Sequence, residues 1–287
     1  MTAPERGDRR DRWRVGTLNI WNRQGPWPER LALIVDELAT LDLDALALQE
    51  VLAFTGLPTQ AHELAAALPG WHVHHAPAMQ IGPGLTLGNA ILSPHPLVDC
   101  AVLPLPAPPG IEARVAAFAR VDLPHGPMPL VSTHLTFQLH LGHVRCEQVR
   151  ALAQHVADRA PIAGPPPVLA GDFNAEPDSD EMRFLRGLTG LGGSTVYFAD
   201  AWHCTRDLSN DLHATGATFD RSRNGYAARP HEPPRRIDYI YVRGPDRNLR
   251  GEPVRCDLAF VRGKHDVWPS DHFGVVADIH AAPRPAH

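Results

Sequence analysis

Gly171-Asp172-Phe173-Asn174 follows the apolar run Val168-Leu169-Ala170, which reads as a buried strand. Gly171 lets the backbone turn as that strand ends, so Asp172 and Asn174 leave it on the loop beyond. The pair offers one hard anionic oxygen and one neutral amide. A carboxylate suits Mg²⁺, which takes oxygen ligands and keeps several waters. An amide hydrogen-bonds a phosphoryl oxygen without adding repulsive charge. The same layout, a strand with a polar end, recurs in Thr17-Leu18-Asn19-Ile20, in Leu48-Gln49-Glu50 and in Ser132-Thr133-His134-Leu135. It recurs again in Arg236-Ile237-Asp238-Tyr239 taken with Ser270-Asp271-His272. Singly, each fragment is an ordinary turn, cap or surface acid. Gathered on one rim, they supply carboxylates, amides and imidazoles in a set suited to metal-assisted attack of water on a phosphoester. A Ser nucleophile elbow, a Cys nucleophile motif and a phosphate-cradling Gly loop are all missing from the sequence.

The elements that must position these groups are legible as periodicities. Strands are expected at Trp13 to Ile20, Asp44 to Gln49, Trp71 to His75, Asn89 to Ser93, Val115 to Leu123 and Pro129 to Thr133. Further strands are expected at Pro167 to Ala170, Arg236 to Val242, Val254 to Val261 and Phe273 to Ile279. Leu31, Ile34, Val35 and Leu38 fall at helical spacing behind Pro28, predicting a helix over Glu29 to Leu41. Further helices are predicted at Glu63 to Leu68, at Val144 to Arg159 and near residues 179–187. Neither a repeat nor a linker divides the chain, so the pattern predicts one α/β domain with mixed sheets over residues 13–282. Residues 1–12 read as a disordered charged leader. Stretches 77–88, 104–113 and 203–235 read as long, substrate-facing loops.

Composition narrows the chemistry further. The 287 residues carry a formal net charge of −5, which gives no bulk attraction to nucleic acid or anionic membrane. Lys264 is the only lysine and lies in no Schiff-base or phosphate-loop motif. Cys100, Cys146, Cys204 and Cys256 are far apart, so they read as free thiols in a reducing cytoplasm. No segment has the length of a membrane span. Trp71-His72-Val73-His74-His75 has no adjacent carboxylate or Cys and reads as an exposed strand face. His140 and His143 are weaker site candidates near His134.

The ordered set from Asn19 to His272 resembles the endonuclease/exonuclease/phosphatase superfamily. That group includes pancreatic-type deoxyribonucleases, abasic-site endonucleases, neutral sphingomyelinases, inositol polyphosphate 5-phosphatases and tyrosyl-DNA phosphodiesterases. The resemblance implies a deoxyribonuclease I-like four-layer sandwich, two packed mixed β-sheets flanked by helices. It implies Mg²⁺ or Mn²⁺ at Glu50, with Asn19 assisting and Asp271 beside the metal. Asp172 would align the attacking water or bind metal. Asn174 and His134 would hydrogen-bond the phosphoryl oxygens. His272, oriented by Asp238, would be general base or transition-state stabiliser. Asn89, in Gly88-Asn89-Ala90-Ile91-Leu92-Ser93, would position Glu50 or substrate, while Arg145, Gln148 and Leu152 match helix positions read as structural.

The resemblance implies a phosphoester substrate, with DNA or RNA preferred and no membrane insertion expected. Arg114 is a further candidate for binding it. Arg221, Arg223 and Tyr226, with Arg229, Arg235 and Arg236 beyond, form the best local basic patch. Arginine pairs phosphates bidentately and tyrosine stacks on bases. The alternatives are a phosphatase, a sphingomyelinase-like lipid phosphodiesterase, or an inactive binding module of the same fold.

Overall fold

The computed structural model describes residues 11–206, 215–229, 231–244 and 250–282. In chain order its elements begin with β1 (Arg12–Asn19), α1 (Trp27–Leu41), β2 (Ala45–Phe54), α2 (Gln60–Ala67), β3 (His72–Gly82) and β4 (Leu85–Ser93). Next come β5 (Leu97–Leu105), β6 (Arg114–Val121), β7 (Met128–His134), α3 (Gly142–Arg159), β8 (Val168–Asp172) and α4 (Asp180–Leu185). The last are β9 (Phe198–Asp200), α5 (Ala201–Thr205), β10 (Asp238–Arg243), β11 (Pro253–Ala259) and β12 (Gly274–His280). One six-stranded sheet runs β11-β12-β1-β2-β4-β3 and the other β5-β6-β7-β8-β10-β9. Both are mixed, because β1 pairs β2 and β7 pairs β8 in parallel while the other ladders are antiparallel.

Strand alternation sorts the side chains into layers. Val15, Ala45 and Ala47 of the first sheet meet Ala117, Leu130, Ala170 and Ile240 of the second in the inter-sheet core. On the first sheet's other face, Leu18, Leu46 and Leu48 pack with Ile34 and Leu38 of α1 and Leu64 of α2. On the second sheet's outer face, Leu169, Tyr239 and Tyr241 pack with Leu152 and Val156 of α3 and Met182 of α4. This is the four-layer sandwich. The pattern turns polar at one end of the inter-sheet space, where Gln49 Nε2 donates to Ser132 Oγ across the two sheets at 3.1 Å. Beyond that bond lies the rim.

Several boundaries differ from expectation. Residues 77–88 are not a loop: they are the end of β3, a turn and the start of β4. β3 is an edge strand with register shifts at Pro77/Met79 and Gln80/Gly82, and an edge tolerates proline. β5 and β9, both edge strands, and α5 were not expected. Arg12 of the expected leader already pairs with His280, and residues 1–10 lie outside the described residues. Residues 207–214 and 230 of the expected long loop also lie outside them. His72 is exposed, and His74 Nε2 lies 3.0 Å from the carbonyl oxygen of Ala101. The four cysteines are free thiols. Among the described residues, no helix is long and apolar enough to cross a membrane.

Candidate active site

Register builds the site. Asp172 is the last residue of β8, and its cross-strand partners are His134 of β7 on one side and Asp238 of β10 on the other. All three share the inward face, so one row of the second sheet carries an imidazole and two carboxylates. Gly171 permits the approach: it has φ 147°, and a Cβ there would stand 2.0 Å from the Thr133 carbonyl oxygen. From the first sheet, Asn19 ends β1. Glu50 sits at φ 57° in a bulge where the β2–β4 register shifts between Leu48 and Val51. Bulges re-aim side chains, and this one turns Glu50 to the rim.

Asn19 joins the two sheets, its Nδ2 donating to Asp172 Oδ2 at 3.0 Å and to Glu50 Oε1 at 3.2 Å. Asn22 Nδ2 holds the other oxygen of Glu50 at 3.0 Å. Asp172 Oδ1 accepts from the backbone N–H of Asn174 at 2.8 Å. His134 Nε2 and His272 Nε2 lie 3.5 Å and 3.8 Å from Asp172 Oδ2. His272 Nδ1 lies 2.9 Å from Asp238 Oδ2. Asn174 gives one amide hydrogen to the Leu135 carbonyl at 3.1 Å, leaving its second.

These neighbours leave one histidine charged and the other neutral. Burial opposes charge on His272, but Asp238, Asp271 and Asp172 outweigh it and push the imidazole up to about 10. With the ring charged, both nitrogens carry protons and Nδ1 donates to Asp238. His134 goes the other way: burial, Arg114 and His272 hold it well below its ordinary value, so it is a neutral imidazole. Burial and the Asp238 charge raise Asp172 to about 7, against the attraction of His272. Burial also raises Asp271 to about 6, with Glu50 adding to the effect.

The Exo_endo_phos model, described as the endonuclease/exonuclease/phosphatase family, matches residues 16–272. The chain belongs to this family. Among solved structures, an endonuclease/exonuclease/phosphatase from Beutenbergia cavernae is 26% identical, with a TM-score of 0.71 over 97% of this chain and 74% of that one. D. rerio TDP2 complexed with single-strand DNA product is 17% identical, with a TM-score of 0.72 over 93% of this chain and 98% of that one. A family protein from Bacteroides vulgatus is 18% identical, with a TM-score of 0.70 over 94% and 99%. The last two likenesses concern the fold alone. No curated protein matches the sequence.

Family members are typically metal-dependent phosphoester hydrolases, and the donor set here fits an oxygen-seeking divalent cation. Glu50, Asp172 and Asp271 line one cleft of about 330 Å³ with His134, Asn174 and His272. Burial, with neighbouring negative charge adding to it, raises Asp172 and Asp271, and a bound cation would offset both effects. Asp172, Asp238 and His272 also lie close enough to share an ion, with ligand atoms within 4.8 Å of one another. The His272–Asp238 hydrogen bond occupies one oxygen of Asp238 and leaves its buried Oδ1 without a partner among the described residues, while Glu50 and Asp271 offer further hard carboxylate oxygens on the cleft.

The other expected substrate residues scatter. Arg114 lines the cleft, and is held at 3.0 Å by Glu112 while its buried Nε has no partner among the described residues. Tyr226 packs on Trp21 with ring centroids 5.0 Å apart. Arg221 and Arg223 are exposed but do not line the cleft, and Arg223 lies 4.7 Å over the Phe273 ring. Arg236 is buried, and its two terminal nitrogens bond the two oxygens of Asp200 at 3.1 Å and 2.8 Å. Asn89 is buried and donates to the Val115 carbonyl at 2.8 Å, tying β4 to β6. His140 and His143 are exposed outside the cleft.

Sequence reasoning missed Asn22 and Arg30. Arg30 is fully buried in α1 and donates to the carbonyls of Ile20, Asn22, Gln24 and Pro269. It thereby fixes the loop that carries Asn22. A single Arg on the inward side of an amphipathic helix was the available signal.

Proposed function

We propose that the protein is a divalent-cation-dependent phosphoester hydrolase whose substrate is a nucleic-acid phosphodiester. The observation that carries this reading is the cross-strand row His134, Asp172 and Asp238, faced by Glu50 and Asp271 in one cleft and completed by His272. The nucleic-acid part is supported by Arg114 and Arg229 on the cleft wall and by the fold shared with a DNA-bound TDP2.

Glu50 and Asp271 would hold Mg²⁺ or Mn²⁺, which when bound polarises a phosphoryl oxygen and neutralises charge developing on it. Asp172 orients the attacking water. Its carboxyl, raised to about 7, is a competent proton acceptor near neutral pH. His272 is the charged partner: Asp238 fixes its ring, and Nε2–H donates to an oxygen of the pentacoordinate phosphorus as the bond to water forms and the P–O bond to the leaving alkoxide breaks, the alkoxide then taking a proton from solvent. Neutral His134 and the second amide hydrogen of Asn174 hydrogen-bond the remaining phosphoryl oxygens. Arg114 neutralises charge on the phosphate from the side.

Hydrolysis of bis-p-nitrophenyl phosphate with Mg²⁺ or Mn²⁺ tests the reaction class. EDTA should abolish turnover and added cation should restore it. Full activity in EDTA, or no turnover with either cation, overturns the reading. Plasmid DNA, single strands, RNA, sphingomyelin and inositol phosphates then rank the substrates.

A further inference from the structure

Resting on that hydrolase reading, we infer that the cleft selects single-stranded over duplex nucleic acid, with Phe137 as the stacking wall for an unpaired base and the partly covered Trp21 as a second aromatic of the lining. Both aromatic side chains line the same cleft as Asp172 and His272. Each stands on a loop that a buried arginine clamps through its carbonyls. Arg30 holds the Trp21 loop through Ile20, Asn22 and Gln24; its guanidinium lies over the Trp21 ring at 5.1 Å, and the Tyr226 ring packs on the same indole at 5.0 Å. Arg145 holds the Phe137 loop by donating to the carbonyls of Thr136, Gln138 and Leu139, and Glu181 fixes Arg145 at 2.6 Å. Gln148 adds a bond from the Thr136 N–H at 3.1 Å.

Phe137 is therefore 44% exposed on a loop with little freedom to move. An exposed phenyl held in place beside reacting groups is preorganised for contact with a flat apolar partner, and the ordering cost is met at folding. Base faces are such partners, but only in unpaired strands, because a duplex keeps them stacked inside. The charge pattern agrees. Among the described residues, the arginines lining the cleft are Arg114, 6% exposed, and Arg229, whose side chain is 53% exposed. Two cations suit a short stretch of strand, whereas duplex binding rests on many phosphate contacts.

The test is fluorescence anisotropy in Mg²⁺ with short labelled oligonucleotides whose phosphorothioate linkages resist cleavage. The probes are a single strand, its blunt duplex and an abasic strand of equal length. The native protein should bind the single strand at least about tenfold more tightly than the other two, and Phe137→Ala should lose about five- to hundredfold, the range for stacking one base. Phe137→Tyr should restore binding and Phe137→Leu should not, which separates stacking from plain apolar contact. Phe137 is exposed, so these variants should keep the native melting temperature. Equal affinity for the abasic strand, preference for duplex, or a Phe137→Ala protein that binds like the native one overturns the inference. The small-diester assay is separate: turnover there without strand preference sinks only this inference, and absent turnover sinks the hydrolase reading itself.

Discussion

His272 Nδ1 lies 2.9 Å from Asp238 Oδ2, and the two residues come from different halves of the sandwich, one from a strand of the second sheet and the other from the segment that enters a strand of the first. Asp238 opens β10, while His272 sits two residues before β12. The bond therefore spans the sandwich and fixes a charged imidazole with its other nitrogen toward Asp172. Replacing either residue, as Asp238→Asn or His272→Ala, should lower kcat about a hundredfold or more, as for other proton-handling groups. The double variant should be little worse than either single one, because the pair acts as a unit. Losses that multiply in steady-state kinetics would show two separate roles.

Cation binding should weaken as pH falls. Asp172 and Asp271 are raised to about 7 and about 6, so each takes up a proton that an incoming cation must displace or oppose. Titration calorimetry with Mn²⁺ should show affinity dropping below pH 7, by about tenfold per pH unit for each proton displaced. The sign for stability follows. The folded, cation-free chain keeps these protons where unfolded carboxylates, near about 4, have lost them. It therefore loses stability as pH rises from about 4 through the two raised values. Mg²⁺ should accordingly raise the melting temperature more at pH 8 than at pH 5.5, and equal shifts at both would count against the assignment.

Asn22 should act on the cation through Glu50, whose Oε2 it holds at 3.0 Å. Its φ of 37° calls for a residue tolerant of the left-handed region, so Asn22→Gly removes the amide without straining the backbone. Mn²⁺ affinity should fall about tenfold or more, as when other partners of ligating groups are removed. The melting temperature of the cation-free protein should change little.

Arg236→Ala should damage folding rather than substrate binding. Its bidentate pair with Asp200 is buried, and removing one partner of such a pair costs about 3–5 kcal/mol. Urea titration should show that loss. A stable Arg236→Ala protein with weakened substrate affinity would return Arg236 to the substrate side.

Arg229→Ala should flatten the salt dependence of oligonucleotide binding by about one unit of log K against log salt if one phosphate contact is lost. Arg221→Ala, outside the cleft lining, should change that slope less. Equal slopes in the two variants would relocate phosphate binding toward the outer loop.

The amino-acid sequence carried Asn19, His134 and Asp172 because each ends a strand with strong alternation. Val15, Thr17 and Asn19 share one face, as do Val168, Ala170 and Asp172, so period two alone puts Asn19 and Asp172 on inward positions. Helices α1 and α3 were readable from apolar spacing for the same local reason. Edge strands β3, β5 and β9 were harder: Pro77 and Pro104 interrupt two of them, and β9 has only three residues. Such strands bury little and leave a weak alternation to read.

What no local pattern contains is the pairing of distant charges. Arg236 and Arg229 lie seven positions apart on one basic stretch, and they look alike in sequence. Only packing puts Arg236 against Asp200 and leaves Arg229 on the cleft wall. The same holds for Arg30, whose carbonyl acceptors reach as far as Pro269, and for the different charge states of His134 and His272. Residue type and alternation set which groups can reach the rim. The burial, partners and charge that decide their chemistry arise only when the two sheets close on each other, because those energies depend on through-space distance and not on position along the chain.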